Sequence, residues 1–210
     1  MSQFIFVFEI LGIIAFSISG AMIAIKKNMD IFGVMILGLT TAVGGGIIRD
    51  LIHGITPPTT FRDPVYALTA LITAAVVFLP AIRRFFHRFQ SIYDHMLLIM
   101  DTVGLGIFTV MGVRTAMVQS ELHGFFLLIF VGVITGVGGG VLRDMMAGNT
   151  PYIFVKHIYA CASLAGAVFC AALWNCTSEP VAMAVGAAVV IAIRLLSAHF
   201  RWSLPKAKME

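Results

Sequence analysis

Thr41-Ala42-Val43-Gly44-Gly45-Gly46-Ile47-Ile48-Arg49-Asp50 is written twice in this chain. It returns, offset by 94, as Thr135-Gly136-Val137-Gly138-Gly139-Gly140-Val141-Leu142-Arg143-Asp144. The exits match as well, Gly54-Ile55-Thr56-Pro57 against Gly148-Asn149-Thr150-Pro151. In each copy an apolar segment carries three successive glycines and then an adjacent Arg and Asp. Glycine is about 1 kcal/mol less favourable than alanine inside a helix, so three together need a reason that propensity does not supply.

The setting is a membrane. Of 210 residues, 60% are hydrophobic and 11% charged, and the mean hydropathy is +0.99. A soluble domain carries about 25% charged residues. The apolar stretches are about 20 residues long, which is what a helix needs to cross roughly 30 Å of hydrocarbon. Strand alternation is absent, so helices are expected rather than a barrel. The net charge of +4 does not point to nucleic acid, because the basic residues sit in short links between apolar stretches, where they set topology. Met1-Ser2-Gln3 offers no basic region ahead of the first apolar run, so no signal peptide is expected. Cys161, Cys170 and Cys176 lack metal-ligand spacing and read as packing residues.

The expected fold is an all-α membrane protein, one transmembrane domain over residues 1–210 with seven spans: 4–25, 31–53, 64–82, 93–113, 122–146, 155–174 and 180–199. The basic stretch 83–88 reads as a loop. Further matches extend the repeat. Glu9 with Gly12, Phe16, Ser17 and Gly20 answers Asp101 with Gly104, Phe108, Thr109 and Gly112, offset 92. Phe61 and Tyr66-Ala67 answer Phe154 and Tyr159-Ala160, offset 93. Residues 4–82 (helices 1–3) thus repeat as 93–174 (helices 4–6), with helix 7 (180–199) standing alone. Three spans per unit is odd, so the second copy crosses in the opposite sense, an inverted repeat typical of proteins that move solutes. Lys26, Lys27, Arg83, Arg84, Arg88, Lys156, Arg201, Lys206 and Lys208 gather on one side, against Arg62 and Arg114 on the other. The richer side is cytoplasmic, which puts the N-terminus outside and the C-terminus inside.

Two readings fit a mid-span glycine triplet. Small residues let helix backbones pack closely. Alternatively the triplet breaks its helix, and the freed carbonyls and N–H groups line a cavity. Recurrence at matching positions favours the broken helix. Arg49 and Arg143 need partners or water at that depth. Adjacent helical residues do not face each other, so pairing with Asp50 and Asp144 is not expected. Pairing across the two motifs would span on the order of 12 Å along the membrane normal, from the helical rise, and is rejected. Glu9 and Asp101 lie at the right depths, so the expected ion pairs are Glu9 with Arg49 and Asp101 with Arg143. They serve either to pin helices or to leave Asp50 and Asp144 facing a conduction path. His53, Tyr66, Asp94, His95, His157 and Tyr159 lie near span ends, and Arg194 is expected to snorkel to the cytoplasmic face. The glycine run at 136–140 fails the dinucleotide spacing, and no metal cluster or nucleophile with a base is found.

These residues resemble a known family. Paired Gly-Gly-Gly-x-x-Arg-Asp segments, with Asp101-Thr102-Val103-Gly104-Leu105-Gly106-Ile107-Phe108 opening the fourth span, look like the prokaryotic branch of the trimeric intracellular cation (TRIC) channels, also described as a glycine-transporter domain family. The likeness covers residues 4–200. It implies a homotrimer in a prokaryotic inner membrane, each protomer with its own pore for K⁺ and Na⁺. It also implies a pore lined by glycine-broken helices 2 and 5, hence by Gly44, Gly45, Gly46, Gly138, Gly139 and Gly140, with Asp50 and Asp144 adding an acidic field. No cofactor is expected beyond the transported ion. Animal relatives hold a phosphoinositide through basic residues; the one lysine within a span here, Lys156, stands at the edge of 155–174, so that lipid is not expected as a partner, membrane lipids in general aside.

Three functions remain open at this level: a passive cation channel, a carrier for glycine or a similar small zwitterion, and a non-conducting scaffold whose glycines serve packing alone. An enzyme is not expected.

Overall fold

The computed structural model describes residues 3–119, 124–155 and 158–202, apart from the side chain of His87. Lys156, His157, Lys206, Lys208 and position 122, used above for topology and span edges, lie outside the described residues. In chain order the helices are α1 (Gln3–Lys26), α2 (Ile31–Ile52), α3 (Thr59–Arg62), α4 (Pro64–Val77), α5 (Pro80–Arg88), α6 (Gln90–Gln119), α7 (Phe125–Met146), α8 (Tyr152–Val155), α9 (Tyr159–Leu173) and α10 (Glu179–His199). Five of them, α1, α2, α6, α7 and α10, are long and apolar enough to cross a membrane, and α4 with α5 makes a bent sixth. The chain is an all-α multi-span membrane protein.

Local chemistry sets the helix ends. Asp30 caps α2, its carboxylate accepting from Gly33 N at 2.7 Å, and Asp63 caps α4 through Val65 N at 3.0 Å with Pro64 at the first helical position. Beyond α2 and α7 the chain reverses at Gly54 (φ +67°) and Gly148 (φ +65°). There Ile55 N and Asn149 N return to the carbonyls of Asp50 and Asp144 at 2.8 Å each. Positive φ is why glycine stands at both exits.

Several edges differ from expectation. The third span stops at Val77, and the chain turns by 65° into α5. Pro80 has no N–H and pushes Leu79 out of the helical region, to φ −53°, ψ 139°. Stretch 83–88, expected as a loop, belongs to helix α5. The fourth span is 30 residues long, and 155–174 is divided between α8 and the shorter α9. Cys170 is buried, whereas Cys161 and Cys176 are exposed rather than packed.

The larger correction concerns the triplets. Gly44, Gly45, Gly46, Gly138, Gly139 and Gly140 do not break their helices; α2 and α7 run through them unbroken. The glycines serve close approach instead. A Cβ at Gly45 would overlap the carbonyl oxygen of Thr135, and one at Gly139 would overlap that of Thr41. Equivalent residues thus exchange the same contact where α2 crosses α7. Intact helices keep every backbone polar group paired without water, which hydrocarbon demands, and small residues bring the two backbones into dispersion contact. Thr41 and Thr135 turn their hydroxyls onto their own helices, to Leu37 O and Val131 O at 2.6 Å each. Gly20 and Gly112 leave room for those turns on α1 and α6.

Candidate functional site

The Arg–Asp neighbours at the ends of α2 and α7 do pair, contrary to expectation. Asp50 Oδ1 lies 2.8 Å from Arg49 Nε and 2.7 Å from Nη2; Asp144 Oδ1 lies 2.8 Å from Arg143 Nε. Consecutive Cβ atoms point apart on a helix, but a guanidinium on a long stem folds back, and each aspartate is held at the helix end by a second bond. Asp50 Oδ2 accepts Thr59 N at 2.8 Å and Asp144 Oδ2 accepts Tyr152 N at 2.9 Å. Thr59 opens α3 and Tyr152 opens α8, so each aspartate ties its glycine helix to the helix that follows. Both carboxylates are buried.

Around Arg143, which is 0% exposed, the network is dense. Nη1 lies 2.5 Å from Asp101 Oδ1 and 2.5 Å from Ser19 Oγ. The Tyr159 hydroxyl donates to the same Asp101 oxygen at 3.4 Å, and the guanidinium stands 4.9 Å from the centre of the Tyr152 ring. Arg194 joins them. It does not snorkel: it is 3% exposed, with Nη2 4.0 Å from Asp101 Oδ2 and its guanidinium 4.7 Å above the Tyr159 ring. An intramembrane carboxylate and an aromatic face hold it inside.

The equivalent network at Arg49 is looser. Glu9 is buried and hydrogen-bonds Tyr66, as Asp101 does Tyr159. Glu9 and Arg49 line the same small pocket with Gly46 and Thr59, yet no ion pair within 4 Å joins them, whereas Asp101 and Arg143 are in contact. Sequence reading missed Ser19 and assigned Tyr66 and Tyr159 to span ends. The offset-93 match of those tyrosines was the signal that they repeat a role.

Two sets of cavities approach the α2–α7 crossing. One, of about 700 Å³, is lined by Lys26, Lys27, Asp94, Asp101, Tyr152 and Arg194. At its floor Asp101 Oδ2 is buried and accepts no hydrogen bond among the described residues. The other, of about 160 Å³, is lined by Glu9, Arg49, Asp50, Arg114 and Thr115. On α1 the first reaches Ile23 and the pocket beside the second reaches Ile13, about 15 Å apart at the helical rise. Phe16 fills that interval, against Gly104 and Gly139, with its ring centre 5.2 Å from that of Phe108. Within the triplets, Gly46 and Gly140 face the guanidiniums: a Cβ there would stand 3.9 Å from Arg49 Nη2 and 3.7 Å from Arg143 Nη2.

The family model described as "Glycine transporter" matches residues 6–81 and again residues 98–175, starting 92 and ending 94 residues apart, the same range of offsets as the repeat in the sequence. The inner membrane protein YadS of Escherichia coli K12 is 36% identical over 198 residues, 93% of this chain and 91% of YadS. The TRIC trimeric intracellular cation channel orthologue from Rhodobacter sphaeroides has a similar structure, TM-score 0.85 at 35% identity, over 94% of this chain and 98% of that one. A prokaryotic TRIC channel crystallised in 0.5 M KCl gives TM-score 0.87 at 30% identity, over 97% and 100%. A glycine-paired helix crossing, a doubled Arg–Asp network and full-length likeness at these identities agree: the chain belongs to the prokaryotic TRIC channel family, a family of channels and not of enzymes.

Proposed function

We propose that this protein is a channel for monovalent cations, K⁺ and Na⁺, with a pore inside each protomer of a homotrimer in a prokaryotic inner membrane. The observation that carries the reading is the likeness, over nearly the whole of both chains, to cation channels of solved structure. The trimer rests on the Rhodobacter orthologue's description and the membrane on that of YadS.

The finer architecture belongs to the same proposal. Residues 4–82 and 93–174 form inverted units of three spans, with α4–α5 and α8–α9 as the irregular third members, and 180–199 is the seventh span. The doubly matching family model and the reciprocal contacts at Gly45 and Gly139 support this. The excess of Lys and Arg on one side supports an external N-terminus and a cytoplasmic C-terminus.

The path runs from the larger cavity past Asp101, along the flanks of Gly138–Gly140 and Gly44–Gly46, to the pockets at Glu9 and Arg49. Asp101 Oδ2, which accepts no hydrogen bond among the described residues and has Arg194 Nη2 4.0 Å away, offers a cation an acceptor. Asp50 and Asp144 act by holding the arginines beside the path rather than by facing the ion. Phe16 and Phe108 close the middle. The dry contact at Gly45 and Gly139 alone would suit a scaffold, but Gly46 and Gly140 lie off that contact, facing the charged groups.

A second reading, a carrier for glycine or another small amino acid, is favoured by the two cavities that do not meet. Planar-bilayer recording in a KCl gradient separates the readings. Current steps reversing near the K⁺ potential, reduced by Gly46→Val, establish the channel. Silence, with saturable glycine uptake into vesicles from the same preparation, establishes the carrier.

A further inference from the structure

At the end of the bundle that carries Lys26 and Lys27, the turn from α4 into α5 opens a cavity of about 430 Å³. It borders the larger cavity, with which it shares Lys26, but among the described residues neither Asp101 nor Arg194 lines it. Its walls come from the C-terminus of α1, the α1–α2 turn, the α4–α5 bend and the start of α6, through Lys26, Asn28, Phe78, Arg83, Phe86 and Gln90. Arg83 is held in place: its guanidinium lies 4.3 Å from the centre of the Phe78 ring. Its Nε is buried and donates to no acceptor among the described residues. A fixed guanidinium with a buried unused donor is a site for an oxyanion.

The surrounding charge has the matching sign. Lys26, Lys27, Arg83, Arg84 and Arg88 surround this end. The nearby carboxylates are Asp30, bound to Gly33 N, and Asp94, which reaches Lys26 only at 4.0 Å between side chains more than half exposed. The ligand's other end is legible too. Leu68, Ile72 and Val76 are exposed at successive spacings of four, a stripe along α4 that leads to the bend. Beyond the bend, exposed Phe85 and Phe89 alternate with exposed Arg84 and Arg88, the pattern of a helix lying in the headgroup region.

We propose that this cavity binds the phosphate of an anionic glycerophospholipid, held between Arg83 and Lys26, with the acyl chains along the α4 stripe. Free phosphate would share the cationic pocket but has no use for the stripe. Phosphatidylglycerol is the natural probe, and phosphatidylcholine, of the same chain length but zwitterionic, is its control.

Native mass spectrometry of the full-length protein with each lipid tests this without reference to conduction. Phosphatidylglycerol adducts are expected to survive in excess over phosphatidylcholine, and to fall about fivefold in Arg83→Gln, the worth of one basic residue at a membrane surface. Arg62→Gln, at the bundle's other end, should leave them unchanged. Should Arg83→Gln fail to fold, Lys26→Gln, whose side chain is largely exposed, supplies the same comparison. Equal retention of the two lipids, wild-type retention in the variants, or displacement of phosphatidylglycerol by equimolar inorganic phosphate would each overturn the proposal.

Discussion

Gly45 lies so close under the main-chain carbonyl of Thr135 that a Cβ cannot stand there, and Gly139 meets Thr41 in the same way. The shared crossing makes a paired prediction. Gly45→Ala forces α2 and α7 apart, and overpacking of this kind costs about 1–3 kcal/mol. Gly139→Ala should lower the thermal midpoint of the purified protein by a similar amount, because the contact is reciprocal. Gly124→Ala, whose Cβ meets nothing within 4 Å among the described residues, should melt with wild type. If Gly45→Ala melts there as well, the crossing is not as tight as described.

How much of this was written in the sequence follows from what each residue depends on. The repeat, the membrane setting and the Asp101–Arg143 contact were legible, because periodicity, hydropathy and depth along a span follow from residue order. The intact state of α2 and α7 was not. Three glycines weaken a helix equally whether a partner backbone lies against them or a cavity does, and only the tertiary contact decides. Arg49 with Asp50 escaped for a related reason: Cβ directions argue against the pair, while the bond from Thr59 N that draws Asp50 to the helix end comes from nine residues away. Arg194 was misplaced because nothing local to α10 shows that Asp101 and Tyr159 of other helices stand beside it. The bend before α5 is legible at Pro80, which cannot continue a helix from α4.

The two intramembrane acids should respond differently to neutralisation. Asp101→Asn leaves the buried guanidiniums of Arg143 and Arg194 with Asp144 as the remaining carboxylate in their network. Breaking a buried pair in this way costs about 3–5 kcal/mol. Glu9→Gln keeps a hydrogen bond with Tyr66 and removes no ion pair within 4 Å. Thermal unfolding in detergent should therefore show a large loss for Asp101→Asn and a small one for Glu9→Gln. Equal losses would mean that Glu9 and Arg49 are coupled as tightly as Asp101 and Arg143.

Asp50 and Asp144 should act on the links beyond their helices. Each gives one oxygen to an arginine and the other to the first amide of the next short helix, Thr59 or Tyr152. An alanine in place of such a cap loses about 1 kcal/mol, roughly a fivefold rise in local opening. Hydrogen exchange over 56–62 in Asp50→Ala, and over 149–155 in Asp144→Ala, should quicken by about that factor. Asp144→Ala should also destabilise the whole protein more, because Arg143 is fully enclosed. Exchange unchanged in those segments would remove the capping role.

The last prediction concerns the closed middle of the proposed path. Phe16 stands between Gly104 and Gly139 and tilts against Phe108, an apolar layer between two polar cavities. Such a layer blocks ions by excluding water rather than by filling every ångström, so widening it admits water before it changes any charge. Phe16→Val removes most of the ring, while Phe16→Leu keeps most of the volume and serves as the control for lost packing. In a planar bilayer with a KCl gradient, Phe16→Val should raise the fraction of time spent open, with the reversal potential unchanged, because the charged networks on either side are untouched. Phe16→Leu should stay near wild type. Equal open times in Phe16→Val and wild type would mean that the barrier lies elsewhere, and the tight neck around Glu9, Gly46 and Arg49, with about 10 Å³ of free space, would be the next place to cut.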